Sequence, residues 1–288
     1  MGKFMGPPTV SNISVCHPTQ AALMVAMHSG CPSSRWLDHA SPILLADILE
    51  ARRPLVLFNV GANKGYNIAT FLKRFHNTSF GAHEWGQAML PFLKETGLLH
   101  VPHNTLCGVC HGCDDRSTPR DAAVPVDVHA FELLPANIKW LRWVTKRFGV
   151  ERTVHVHHEA MSNVSGAMEM SGAGAFGWER GAVDTLLHAP ARERGGAATS
   201  QSKPEATLAV LVGTLDEYFS WLLSRQASKA RADGEGGEGE GGSVPFAGVV
   251  DFLSIDAEGY DPLILEGMQH SLSRVRIVPM LRRGTADC

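Results

Sequence analysis

Two carboxylates spaced two residues apart, Asp256-Ala-Glu258, close the apolar run that begins at Asp251, and Gly259 follows at once. A carboxylate at the end of a buried strand can take a proton from a reacting hydroxyl when the loop turns it toward a cleft, so Asp256 and Glu258 are the candidate catalytic bases. The same pair could instead hold a divalent cation that orients a diol. The chain offers no clear further ligand for a cation there, so the reading without a metal is preferred. A third acid, Glu132, ends the run Val128-His-Ala-Phe-Glu132, where it can accept both hydroxyls of a ribose. The remaining ending is glycine: Gly61-Ala-Asn63-Lys-Gly65 follows an apolar run over 55–60. Gly61 and Gly65 let the backbone come close to a ligand and turn sharply from strand into helix. Open parallel sheets bind ligands beyond the carboxyl ends of their strands, so three such endings describe one crevice for a charged, nucleoside-like molecule. The three-glycine fingerprint of nicotinamide cofactors is absent.

Other reactive side chains carry less. Asp261-Pro262 ahead of Leu263-Ile-Leu265 is a helix start, and Asp261 is read as its cap. His155, His157 and His158 lie on or beside a strand and are read as structural or solvent-facing. His158 and Glu159, at that strand's end, could border a nucleoside-like ligand or its reaction partner, though loop packing is the preferred role. Cys107 and Cys110, with Asp114 nearby, could present two thiolates to a zinc ion, and Cys113 with His103 or His111 would complete a tetrahedral set, but zinc sites usually pair two such knuckles and only one is present. Free thiols or a disulfide are preferred, and no metal site is assigned. Cys-x-x-Cys-His also matches a haem attachment pattern, against which stand the absent export signal and second axial ligand.

The elements that must position these groups follow from periodicity. A poorly ordered extension over 1–40 precedes one domain over 41–288, which opens with a helix from Ser41-Pro42. A buried strand over 55–60 leads through the glycine turn to a helix over 66–75, where Ile68, Phe71, Leu72 and Phe75 recur at helical spacing. The next strand, 126–131, arrives so late that 77–125 reads as an insertion carrying the cysteine cluster. A helix over 135–148, a strand over 154–158, a helix over 214–225 and strands over 251–256 and 275–280 follow. Low-complexity loops over 191–206 and 232–243 cannot bury enough apolar surface to offset the entropy of ordering. The alternation predicts an α/β, doubly wound, mainly parallel sheet.

Asn59-Val-Gly61-Ala-Asn63-Lys-Gly65-Tyr66, Phe131-Glu132-Leu-Leu-Pro135-Ala-Asn137, Thr214-Leu215-Asp216 and Asp251-Phe-Leu-Ser-Ile-Asp256-Ala-Glu258-Gly259 occur in the order of a known pattern. The chain resembles the FkbM-type S-adenosylmethionine (SAM)-dependent methyltransferases from about Leu55 to about Pro279. The resemblance implies a Rossmann-like class I methyltransferase fold with strand order 3-2-1-4-5. It also implies transfer of a methyl group from SAM to a hydroxyl of a sugar, polyketide or similar small acceptor. Asn59, Gly61, Asn63, Gly65, Glu132, Ala160 and Asp256 are the expected cofactor-binding residues. Many relatives begin the glycine motif with Asp where Asn59 stands, which removes a negative charge near the methionine ammonium. The alternative is a non-catalytic SAM-binding or interaction protein with a degenerate fold.

Composition sets the outer limits. A 288-residue chain with 44% hydrophobic and 19% charged residues suits one α/β domain with insertions. A net charge of −3 without long Lys/Arg runs argues against a nucleic-acid or anionic-membrane surface. No apolar run is long enough for a membrane span. Unpaired Cys16, Cys31 and Cys288 suggest a reducing, cytoplasmic setting. The expected C-terminal antiparallel strands are missing after 275–280, which predicts self-association through an exposed fifth strand, cover by the N-terminal extension, or an incomplete product of low stability.

Overall fold

Leu55 to Val60 are buried without exception, and they form β1 (Leu55–Val60) at the centre of a sheet. A strand covered on both faces needs side chains that tolerate burial at every position, which is why its sequence runs apolar rather than alternating. The computed structural model describes residues 53–97, 124–171, 207–233, 246–257 and 260–278. Four further strands join β1: β2 (Val126–Glu132), β3 (Val154–His158), β7 (Val250–Ile255) and β8 (Val275–Ile277). Their order is β3-β2-β1-β7-β8, and every pairing is parallel. Taken in sequence as 3-2-1-4-5, this is the expected order.

Helices cover both faces. Leu55 and Leu57 of β1 point into one core with Ile68, Phe71, Trp85, Phe92, Trp140 and Leu141, while Val56, Phe58 and Val60 point into the other with Leu215, Phe219, Leu222 and Ile264. The first core is built by α1 (Tyr66–Phe71), α2 (Ala82–Gln87), α3 (Met89–Glu95) and α4 (Pro135–Arg147). The second is built by α5 (Leu215–Asp233) and α6 (Asp261–Glu266).

Several elements differ from the sequence expectation. The helix expected over 66–75 is α-helical only to Phe71 and continues as a π-helical turn, Leu72–His76. The wider turn keeps Phe71, Leu72 and Phe75 all in the core, and Asn77, at φ 53°, ends it. Part of the expected insertion is core: α2 and α3 bury Trp85, Met89, Phe92 and Leu93. The cysteine cluster lies outside the described residues, as do residues 1–40 and 191–206. Helix α5 runs on to Asp233, so only 234–243 of the second expected loop fall outside them.

A second sheet was not expected. Strands β4 (Ala160–Met161), β5 (Gly166–Ser171) and β6 (Thr207–Gly213) pair in the order β4-β6-β5. Its antiparallel β5–β6 ladder joins segments on either side of residues 172–206, so no local turn signal announces it. No helix among the described residues is long and apolar enough to cross a membrane.

Candidate functional site

The carboxyl ends of β1, β2 and β7 are tied together through the glycine turn. Gly61 and Ala62 both donate their N–H to Phe131 O at 3.0 Å, and Asp256 N donates to Val60 O at 3.0 Å. Gly61 adopts φ 73°, and a Cβ there would stand 2.2 Å from Asp256 O, so both the conformation and the close approach demand glycine. Gly65, at φ 77°, is the N-cap of α1, and a Cβ on it would meet Leu141 and Trp85. Asn63 between them is also left-handed, at φ 49°.

Glu132 is where the structure refines the sequence reading most. Its carboxylate is buried and accepts Asn63 N at 2.6 Å, Leu133 N at 2.9 Å and Leu134 N at 2.8 Å. Burial pushes this carboxyl above its ordinary range, and the three N–H donors pull the other way. A carboxylate has roughly four lone-pair sites, so most of this one's capacity is met by the chain itself. Glu132 therefore stitches the glycine turn to the end of β2, and a ribose would share an acceptor already in use.

Asn59 shows the opposite condition. It is 1% exposed, and neither its Oδ1 nor its Nδ2 has a hydrogen-bond partner among the described residues. It stands in register with Ala130 of β2 and Ser254 of β7, one step below the crevice. Asn137, at the start of α4, is equally buried; its Nδ2 donates to Asn63 Oδ1 at 3.5 Å and its Oδ1 has no partner among the described residues. Buried amides without partners are rare and ask for a ligand or a water.

Asp256 follows β7 and is exposed beside the turn. Glu258 lies outside the described residues. Ala160 opens β4, half-buried, just after Glu159 N donates to Glu132 O at 3.1 Å. Asp261 does not cap its helix, because the N-cap is Tyr260 and no side chain caps it. Instead Asp261 Oδ1 accepts Ala257 N at 2.9 Å and braces the loop after Asp256. Among the described residues no three His, Cys, Asp or Glu side chains are grouped to hold a metal ion.

Two sets of partnerships escaped the sequence reading. Trp85 and Trp140 each donate an indole N–H to Lys64 O at 2.8 Å, inside the glycine turn. Nothing in a sequence marks a tryptophan whose partner is a distant carbonyl. On the far face of the sheet, Tyr218 Oη lies 2.8 Å from both His129 Nδ1 and His157 Nε2. Asp127 Oδ1 lies 3.1 Å from His155 Nε2 and 3.3 Å from His129 Nε2, the latter without hydrogen-bond geometry. The i, i+2 spacing of Asp127 with His129 and of His155 with His157 was the available signal for one shared face. Tyr218 Oη carries one proton, so it donates to one of these two nitrogens and accepts from the other, and the ring tautomers decide which. Desolvation holds the buried His129 ring and the half-buried His157 ring below their ordinary pKa, His157 at about 3.

No protein-family model matches the chain, and no curated protein or solved structure matches it significantly.

Proposed function

We propose that this chain is a SAM-dependent methyltransferase of the class I type, similar to the FkbM group, that methylates a hydroxyl of a small molecule. One observation carries the reading. The glycine turn, the acid ending β2 and the acid following β7 converge at the carboxyl ends of adjacent parallel strands, where doubly wound sheets bind nucleotide-derived ligands.

The unpartnered Asn59 amide fits a ligand with a polar, charged end, and it is the residue that would meet the methionine ammonium and carboxylate. Gly61, Asn63 and Gly65 would face the ligand through backbone, Glu132 would lie toward the ribose, and Ala160 would border the adenine. SAM supplies an electrophilic methyl on a sulfonium centre. The protein's own contribution is to hold the acceptor in line and to take its proton at Asp256, with Glu258 as the second candidate.

The near-saturation of Glu132 by backbone donors favours a second reading, a protein that keeps the fold and the crevice without turnover. Calorimetry with S-adenosylhomocysteine comes first. The expected result is one-site binding, and a folded protein that takes up none of it ends both readings. A methyl-transfer screen over hydroxylated acceptors then separates enzyme from binding protein.

A further inference from the structure

The carbonyl of Lys64 stands one residue ahead of the N-cap Gly65, outside helix α1, between two left-handed residues. It accepts two indole N–H groups at 2.8 Å, from Trp85 of α2 and from Trp140 of α4. Both indoles are 0% exposed. A buried carbonyl without donors would cost free energy comparable to a lost hydrogen bond, and a single donor would leave the peptide free to rotate about one contact. Two donors arriving from different helices fix the direction of the carbonyl. Because the Lys64 carbonyl and the Gly65 N–H share one peptide plane, they fix the turn as well.

The indoles are themselves wedged. Trp85 lies parallel to Phe148 at 5.7 Å, and Phe80 stacks on Phe148 at 4.3 Å. Trp140 takes Phe92 edge-on at 5.4 Å. The aromatic layer between α2, α3 and α4 thus ends on one backbone atom of the ligand turn.

We propose that Trp85 and Trp140 are positioning residues that hold the Lys64 carbonyl and keep the 61–65 turn in its ligand-receiving shape. This makes the stretch 77–97, through Trp85, a working component of the site. The inference rests on the methyltransferase reading only for the identity of the ligand.

The test uses Trp85→Phe, Trp140→Phe and the double variant of the full chain, with Phe252→Leu as a control that loosens the same core where its ring packs on Phe71 and Phe75 and leaves both indole N–H groups in place. Without ligand, amide hydrogen exchange at residues 61–66 should accelerate in the single variants, more in the double variant, and remain near wild type in Phe252→Leu. Loss of a neutral hydrogen bond should weaken S-adenosylhomocysteine binding by about 3- to 10-fold in each single variant. The control should lose thermal stability with little change in affinity. Exchange at the turn that is unchanged in the double variant, or affinity that tracks thermal stability equally in the control and the indole variants, overturns the proposal. Wild-type protein that fails to bind S-adenosylhomocysteine refutes the cofactor reading, and the exchange measurement still decides the clamp. If the double variant does not fold, the single variants decide it.

Discussion

At the scale of single residues, the site divides into groups that are satisfied and groups that wait. Glu132 is satisfied by three backbone donors, and its first role is to shape the turn. Asn59 waits, which makes its replacement informative. Asn59→Asp buries a carboxylate that has no partner in the free protein, and the expected cost is about 2 kcal/mol or more at neutral pH. An ammonium group placed against it would recover that loss, so S-adenosylhomocysteine should raise the Tm of the variant more than that of the wild type. A variant with unchanged stability and an unchanged ligand shift would place the ammonium elsewhere. Asp256 is tested by rate. Asp256→Asn should lower turnover by roughly 100-fold while leaving cofactor affinity nearly intact. Equal losses in both would make it a binding residue.

At the scale of elements, the contact between α5 and the β2–β3 edge stands apart. One hydroxyl, Tyr218 Oη, joins two imidazoles on two strands, with Phe58 and Phe131 packed edge-on around its ring. Tyr218→Phe keeps the ring and strands both nitrogens, so the expected destabilisation is on the order of 2 kcal/mol by chemical denaturation. A loss below about 0.5 kcal/mol would mean that water or a ring flip satisfies the histidines instead. The pairing was invisible beforehand because Tyr218 and His129 are far apart in the chain. The alternation of His155 and His157 named a face but not the helix that covers it.

At the scale of the whole molecule, the same layer sets how folding responds to acid. His129 and His157 resist protonation in the folded state, and the unfolded chain takes up protons near the ordinary value of 6.5. Stability is therefore full above that value and falls as pH drops below it, continuing for His157 toward about 3. Each histidine contributes a slope of about 1.4 kcal/mol per pH unit inside its window. Asp127 adds a later loss: burial raises its carboxyl, but the His155 ring 3.1 Å away and the neighbouring His129 ring outweigh this and hold it below its ordinary range in the folded state. Urea titrations at pH 7.5, 6 and 5 should show a falling midpoint, and the fall should flatten in His157→Phe. A midpoint that is level across this range would contradict the neutral assignment of both rings.

Several features were legible before any coordinates. The continuous apolar runs announced strands buried on both faces, the spacing of Ile68, Phe71, Leu72 and Phe75 announced a helix, and Gly61 announced a sharp turn with a close backbone approach, expected toward a ligand and found against Asp256 O. These signals are local, since periodicity and glycine's conformational freedom act within a turn or a few residues of strand. Tertiary structure alone decided which donors fill Glu132, which carbonyl receives Trp85 and Trp140, that Asp261 braces a loop rather than capping a helix, and that β5 pairs with β6. Each of those is a choice of partner among groups remote in sequence. Hydrogen bonds form between atoms that packing brings within about 3 Å, and no composition or spacing states in advance which atoms those are.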